Sequence, residues 1–351
     1  MEKSKMLLVA LGQGAGNIVD GLLSRNKSYN GLFFNSSVFD IKPLKNANID
    51  KNVYLYPGTD GSGRDRNKSK EMIRDNANAV GTLLRKYPQT EVMVIFTSMA
   101  GGTGSGAIKT FIQIASAAIP STKINVVAIL PSLTEDQLSL KNTIECWNDI
   151  NGVMDLINDI KFIDNNKRNT YKEVNKEVVE SLDLAYNLIG IHADGNIDKK
   201  DSFRINTADG SGLILKLYDG LKDAKTAIDL AIKNSVFAQP DIYDCDYLGI
   251  NLKIDGYDPN EISKCFEVYK STYITYNNEF NIAVLGGCET PTESIKLIKI
   301  ALDDKSKRKL SRDKKRSVII NFDDENISKE NDFEMKESHK SDNEGLEFSF
   351  D

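Results

Sequence analysis

The segment Ala100-Gly101-Gly102-Thr103-Gly104-Ser105-Gly106 constrains this chain more than any other. Before it runs Val92-Met93-Val94-Ile95-Phe96-Thr97, an unbroken apolar stretch of the kind buried on both faces of a parallel sheet. After it, residues 107–118 are small and apolar and read as a helix. Four glycines in six positions permit φ > 0 and let a ligand lie against bare backbone. Successive N–H groups at a helix N-terminus attract anions, phosphate above all. The segment therefore reads as a nucleotide phosphate loop.

Two well-known phosphate loops do not fit it. Gly101 and Gly106 have P-loop spacing, but Ala107 and Ile108 follow where Lys and Ser/Thr are required. A second glycine-rich turn, Gly12-Gln13-Gly14-Ala15-Gly16-Asn17, follows the apolar run 6–11. It approximates the dinucleotide fingerprint, with Asn17 in place of the third glycine. Alone, this turn is compatible with a dinucleotide or with another nucleotide.

The two loops occur together, and that combination resembles the tubulin/FtsZ superfamily of polymerising GTPases. The resemblance covers roughly residues 6–302 and respects the order of every motif. It implies an α/β fold: a Rossmann-type GTPase domain with a parallel sheet, a long central helix and a second, smaller α/β activation domain. It implies GTP and GDP as ligands, with Mg2+ held through the phosphates and Gln13 near that cation. On this basis Gly12, Gln13, Gly14, Ala15, Gly16 and Asn17 cradle the α- and β-phosphates. Ala100, Gly101, Gly102, Thr103, Gly104, Ser105 and Gly106 form the family's signature loop. Asn35 opens the second loop and Gly58 the third. Pro131 closes the apolar strand 126–130 at a ribose loop, and Glu135 matches an acid near the ribose. Asn165, in Phe162-Ile163-Asp164-Asn165, matches the asparagine that approaches ribose and guanine.

Residues 171–189 set Val174, Val178, Leu182, Ala185 and Ile189 on one helical face, like the central helix of the family. Asn175, in its first turns, stands where the family reads the guanine edge. Beyond it lies Gly195-Asn196-Ile197-Asp198-Lys199-Lys200-Asp201, the Asn-x-Asp-x-x-Asp arrangement of the family's synergy loop. Two carboxylates at that spacing can orient a water beside a γ-phosphate. In the family this loop faces the nucleotide of the next subunit, so Asp198 and Asp201 are the catalytic candidates and hydrolysis requires assembly. Each residue also has a plainer reading. Asp198 and Asp201 can form a solvated loop, Asn165 can cap a helix, Asn175 can be a surface residue, and Glu135 an ordinary exposed acid.

The pattern departs from the cell-division members in several places. After Phe33-Phe34 comes Asn35-Ser36-Ser37, without the acid those members place near the phosphates. The third loop, Gly58-Thr59-Asp60-Gly61-Ser62-Gly63-Arg64-Asp65, is polar enough to sense a γ-phosphate. Arg64 is a phosphate candidate there, and Asp60 or Asp65 a magnesium candidate. Ser139 falls where cell-division members carry an arginine.

Composition narrows the class further. A length of 351 residues suffices for two domains with their own cores. The division expected is 1–170 for the GTP-binding domain, 171–195 for the central helix, 196–303 for the synergy loop and activation domain, and 304–351 for a charged tail. Cysteines at 146, 245, 265 and 288 form no CxxC pair and, without a signal sequence, read as reduced cytoplasmic thiols. With histidines only at 192 and 339, a His-based metal or triad site is not expected. No apolar run reaches membrane-spanning length. In the second domain, residues 224–231 read as a helix, 247–254 as a half-buried strand, 280–285 as a strand and 292–302 as a helix. Pro259 begins a helix with Ile262, Cys265, Phe266 and Tyr269 on one face.

The tail splits by charge. Residues 304–317 hold eight basic and two acidic side chains, and 321–351 hold eleven acidic and three basic. The basic block reads as a continuation of the preceding helix, the acidic block as disordered, and Leu346-Glu347-Phe348-Ser349-Phe350-Asp351 as a docking motif or a solubilising end. The short second loop and basic tail are most similar to the TubZ branch, plasmid- and phage-encoded GTPases that segregate DNA. That implies self-assembly into head-to-tail filaments and a DNA-bound adaptor of TubR type met through the tail. The basic block lacks aromatics for stacking, so no direct sequence-specific DNA binding is expected. The alternatives are a cell-division GTPase or another phage tubulin, a nucleotide-binding polymer without turnover, and a Rossmann NAD oxidoreductase.

Overall fold

The computed structural model describes residues 1–316 apart from 255 and 278; the acidic block and the motif at 346–351 lie outside the described residues. Six apolar segments form the parallel half of one sheet: β1 (Met6–Leu11), β2 (Asn30–Asn35), β3 (Val53–Leu55), β4 (Val92–Ser98), β5 (Lys123–Leu130) and β6 (Asp159–Asp164). Their spatial order is β3-β2-β1-β4-β5-β6, that of a doubly wound nucleotide-binding sheet. Ala10 of β1 sits between Phe33 of β2 and Phe96 of β4.

Continuous apolar strands arise here because both faces are covered. Leu7, Val9 and Leu11 point to one face, where they meet Phe111 and Ile112 of α4 (Thr103–Ala118) and Leu140 of α5 (Gln137–Asn151). Met6, Leu8 and Ala10 point to the other, against Ile18 and Leu22 of α1 (Gln13–Arg25) and Val174, Val178 and Leu182 of α6 (Tyr171–Tyr186). Two further helices, α2 (Arg66–Asp75) and α3 (Ala77–Leu84), pack on the α4 face.

The long helix α6 starts on a full capping box: Thr170 Oγ1 accepts from Glu173 N at 3.2 Å, and Glu173 Oε2 accepts from Thr170 N at 3.0 Å. It ends at Tyr186, earlier than the periodicity predicts, and Ile189 is exposed. The chain turns instead into a hairpin, β7 (Gly190–His192) with β8 (Gly195–Ile197), followed by α7 (Lys199–Asn206).

The sheet then continues without a break. The strand β9 (Gly210–Leu217) pairs parallel to β6 through Asp159↔Gly210 and Ile160↔Ser211 alone. At that seam Lys161 Nζ and Asp159 Oδ2 form an ion pair at 2.5 Å, each side chain 1% exposed. A Cβ on Gly212 would stand 2.5 Å from the same ammonium nitrogen, so glycine is required beside the pair. After α8 (Ala224–Asn234) come β10 (Asp244–Leu252), α9 (Pro259–Ser263), β11 (Glu267–Tyr276) and β12 (Asn281–Cys288). The strand β12 runs antiparallel between β9 and β10, and β11 closes the edge parallel to β10.

Two readings of this region change. The helix from Pro259 is a single short turn, and Tyr269 belongs to strand β11, with its ring exposed. The strand β10 is buried continuously from Leu248 to Leu252 rather than alternately, because it is flanked on both edges and covered by Ile205 and Leu188. The last helix, α10 (Thr292–Arg316), continues from the apolar stretch into the basic block, as the sequence reading expects. Residues Met1–Lys307 form one compact unit; of the second unit, Arg308–Asp351, residues 308–316 are helical.

Thr170→Ala removes one half of the α6 capping box and is expected to lower unfolding stability by about 1 kcal/mol, read as a shift in urea midpoint at unchanged slope.

Candidate nucleotide site

Strands β1 and β4 are neighbours, but the helices that follow them cross to opposite faces of the sheet. Their carboxyl ends therefore diverge and leave a crevice, the general ligand position of an open α/β sheet. Both loops at that crevice are glycine-rich, for separate reasons. Gly12 takes φ +83°, a left-handed conformation, and is the N-cap of α1. Its N–H donates to Phe34 O at 2.9 Å, so the turn is tied to β2. Gly104 is needed for close approach: a Cβ there would run into the Leu11 carbonyl and stand 2.7 Å from Thr97 Oγ1. A Cβ on Gly12 would in turn stand 3.4 Å from Gly104 N.

The N-cap residues of α1 and α4, Gly12 and Gly102, have no side chain to accept the first-turn N–H groups. Two helix N-termini of about half a positive charge each thus meet with unsatisfied donors. They open into a cleft of about 560 Å³. Gly12, Gln13, Gly14 and Asn17 line it from the first loop, and Ala100, Gly101, Gly102, Thr103 and Gly104 from the signature loop. At its far end stand Pro131, Glu135, Asn165 and Asn175.

Sequence reasoning missed several lining residues. Tyr171, the first residue of α6, presents an exposed ring and donates its hydroxyl to Glu135 Oε1 at 2.9 Å. Glu135 Oε1 also accepts from Ser132 N at 3.1 Å, so its position is fixed. An aromatic at the start of the helix carrying Asn175 was the signal available for Tyr171. Asp40 also lines the cleft, brought there by the turn in which Ile41 N and Lys42 N both donate to Val38 O at 3.1 Å. Nothing in the spacing of residues 35–40 announces that turn.

The loops are fastened by hydroxyl groups. Ser36, 2% exposed, shares a hydrogen bond with Thr103 Oγ1 at 2.9 Å, and Thr103 Oγ1 another with Ser62 Oγ at 3.2 Å. Ser36 O accepts from Gly61 N at 2.7 Å. The third loop contributes Gly61, Ser62, Gly63 and Arg64 to the lining. Arg64 has φ +64°, a left-handed conformation that costs a non-glycine residue roughly 1–2 kcal/mol. Its side chain pairs with Asp136, and its carbonyl accepts from Asn142 Nδ2 at 3.1 Å. The same Asn142 amide reaches Ala100 O and Gly101 O, both at 3.2 Å.

Other predicted site residues lie outside the lining. Ala15 and Gly16 are buried in α1, and Gly16 packs against Leu44. Asn35 folds its own loop, its Oδ1 accepting from Ser36 N at 2.8 Å and Ser37 N at 3.2 Å. Gly58 sits in the third loop at φ +69°. Ser105 donates its hydroxyl to Gly101 O and receives Arg66 Nε at 3.3 Å. Gly106 makes room for α2, a Cβ there standing 2.7 Å from Ser69 Cβ. Asp65 caps α2, accepting from Asn67 N at 2.8 Å, and neither it nor Asp60 lines the cleft.

Asp198 and Asp201 are also outside the cleft. They form a capping box on α7: Asp198 Oδ1 accepts from Lys200 N at 2.7 Å and Asp201 N at 2.9 Å, and Asp201 Oδ2 accepts from Asp198 N at 3.2 Å. The hydrogen bond from the Asp201 amide holds the Asp198 carboxyl below its usual range. Asp201 Oδ1 pairs with Arg204 Nη1 at 3.3 Å.

Among the described residues no group of three or more His, Cys, Asp or Glu side chains could hold a metal, and no helix is long and apolar enough to cross a membrane. The lining does suit magnesium bound mainly by phosphates and water. It offers oxygen donors, Gln13 and Asp40, and no soft ligand. The NAD alternative requires an acid at the end of β2, where buried Asn35 is committed to its own loop.

Gly104→Val is expected to separate the two loops and to weaken binding of a fluorescent GTP analogue at least about tenfold, roughly 1.4 kcal/mol. Circular dichroism of the variant checks that the fold persists.

Comparison with known proteins agrees with this geometry. Residues 5–170 match the tubulin/FtsZ family, GTPase domain. The chain is 31% identical over 310 residues to the tubulin-like protein TubZ of Clostridium botulinum C phage, covering 88% of this chain and 85% of the relative. The tail-truncated structure of Clostridium botulinum phage c-st TubZ superposes with a TM-score of 0.81 at 30% identity, over 88% of this chain and all (100%) of that one. A GTPγS-form protofilament structure of Bacillus thuringiensis serovar israelensis TubZ gives a TM-score of 0.75 at 15% identity, over 88% of this chain and 94% of that one, and so shares the fold.

Proposed function

Because the chain belongs to the tubulin/FtsZ family of GTPases, we propose that it is a polymerising GTPase whose subunits stack head to tail, each completing the hydrolytic site of its neighbour. The observation that carries this reading is a separation. The donors suited to a triphosphate converge on one cleft, while the paired aspartates lie outside it on α7.

GTP would lie with its phosphates on Gly12, Gly14 and the N-termini of α1 and α4, and its guanosine toward Asn165, Tyr171 and Asn175. Thr103 and Ser62, joined through their hydroxyls, stand where the third loop can respond to a γ-phosphate. Bound Mg2+ would neutralise charge between the phosphates. A second subunit would bring α7 over the cleft. Asp198 already accepts two backbone N–H groups, so its part is to hold the turn. Asp201 is then the carboxylate that orients the attacking water, once Arg204 is drawn off. Positioning and charge stabilisation suffice for phosphoryl transfer of this kind. A contact between unlike faces propagates as an open filament, and the protofilament structure of the Bacillus TubZ supports that arrangement.

The cellular role that fits is segregation of plasmid or phage DNA in the cytoplasm, through a DNA-bound adaptor of TubR type met by the charged tail. The phage source of the relative supports this. The domain division follows the same reading, with residues 1–170 binding nucleotide, 171–195 joining, 196–303 acting on the neighbour and 304–351 engaging the adaptor.

Phosphate release and light scattering, followed in one cuvette across protein concentrations, test the assembly requirement. Specific activity should rise above a threshold concentration together with scattering. Asp201→Asn keeps an oxygen acceptor for the capping box and removes the charge. It should bind GTP within about twofold of the parent and lose at least about 100-fold in turnover, the range of general acid–base effects, while forming long-lived filaments. Normal turnover by this variant would refute the shared site.

A further inference from the structure

The cleft is lined mostly by neutral groups, and its lining holds two carboxylates, Glu135 and Asp40. Glu135 is occupied at the guanosine end by Tyr171 and Ser132 N. Asp136, beside the third loop, is paired with Arg64. Asp65 is spent on the start of α2. Asp40 lines the cleft half-buried and carries no ion pair among the described residues; the nearby Lys42 ammonium lies over the Phe39 ring, 5.0 Å from its centroid. Burial pushes the Asp40 carboxyl above its usual range, with only the Asn35 amide pulling it back. That amide is itself unsatisfied, its Nδ2 being buried without a hydrogen bond of ordinary geometry. The second loop thus holds a carboxylate without an ion pair among the described residues, with the buried Asn35 amide as its near neighbour.

The turn that carries Asp40 is not loose. Ser36 anchors its start, to the signature loop through Thr103 and to the third loop through Gly61 N, and Leu44 packs on Gly16 of α1 at its end. A desolvated carboxylate fixed beside a polyphosphate is repulsive unless a cation stands between them. Magnesium is commonly bound by one or two carboxylates together with substrate phosphates and water.

We propose that Asp40 is the protein carboxylate that holds the magnesium ion of the bound nucleotide, directly or through water, in place of the acid missing from Asn35-Ser36-Ser37. The inference rests on the cleft being the GTP site. Asp40 would therefore set how strongly nucleotide affinity depends on magnesium, while the glycine loops set the affinity for the phosphates themselves.

The experiment is a titration of the full chain with a fluorescent GDP analogue, in excess Mg2+ and in excess EDTA, for the parent, Asp40→Asn and Asp40→Ala. The parent should bind at least about tenfold tighter with Mg2+. Both variants should lose most of that gain, yet bind in EDTA as tightly as the parent or more so, since a repulsive charge has gone. A full magnesium gain in the variants would overturn the proposal. So would an equal loss of affinity with and without Mg2+, which marks a structural role. If the parent binds no guanine nucleotide in either condition, the reading of the cleft itself fails and the proposal falls with it; that result is distinct from an altered magnesium response in Asp40 variants alone.

Discussion

The contact of Gly104 with the Leu11 carbonyl is the constraint on which the site depends. Adjacent strands β1 and β4 send their helices to opposite faces of the sheet, so their loops must pass one another at the carboxyl edge. Any side chain at residue 104 would have to displace the Leu11 carbonyl. Because they touch, the N-termini of α1 and α4 point into a single cleft with their donors unpaired. On the proposed reading a phosphate chain would supply what both helices lack.

The rest of the cleft is held by small polar groups rather than by apolar packing. Thr103 is the junction: its hydroxyl joins Ser36 of the second loop and Ser62 of the third. Behind it, Arg66 is buried with its guanidinium on Ser105 O at 3.0 Å and on Glu145 Oε2 at 2.8 Å, which ties α2, α4 and α5 together. The hydroxyl bonds at Thr103 are neutral and worth about 1 kcal/mol each, so no one of them fixes a loop, but together with the Arg66 contacts they do. The left-handed Arg64 is retained against its own preference because both its side chain and its carbonyl are engaged by α5 and the residue just before it.

The parallel half of the fold was legible because its strands are uniformly apolar and each is followed by a turn of marked composition. Met6–Leu11 coincides with the strand read from sequence, and the signature loop, though expected before the helix, supplies the first turns of α4 itself. The antiparallel half was less legible. Strand β11, with exposed Tyr269, has no apolar alternation to mark it, since it lies at the sheet edge and only part of one face is covered. The two glycine loops were legible as a pair, yet glycine composition does not separate roles: Gly12 is a turn, Gly104 a close approach, and Gly106 a packing site for α2. Asp40 and Tyr171 were hidden for the opposite reason, since single residues of common type are placed only by the turn or helix that carries them.

The paired aspartates join the two levels of organisation. As a capping box, Asp198 and Asp201 stabilise α7 in the free subunit without any partner. On the proposed reading the same geometry presents Asp201 to the neighbour, because the cap uses Oδ2 and leaves Oδ1 to a surface arginine. An exposed pair of that kind is weak, within about 1 kcal/mol, so Arg204 can exchange Asp201 for an incoming phosphate at little cost. The helix start would then be rigid before assembly while its reactive oxygen remains replaceable, which allows a subunit to stay inactive in isolation without needing to refold when it stacks.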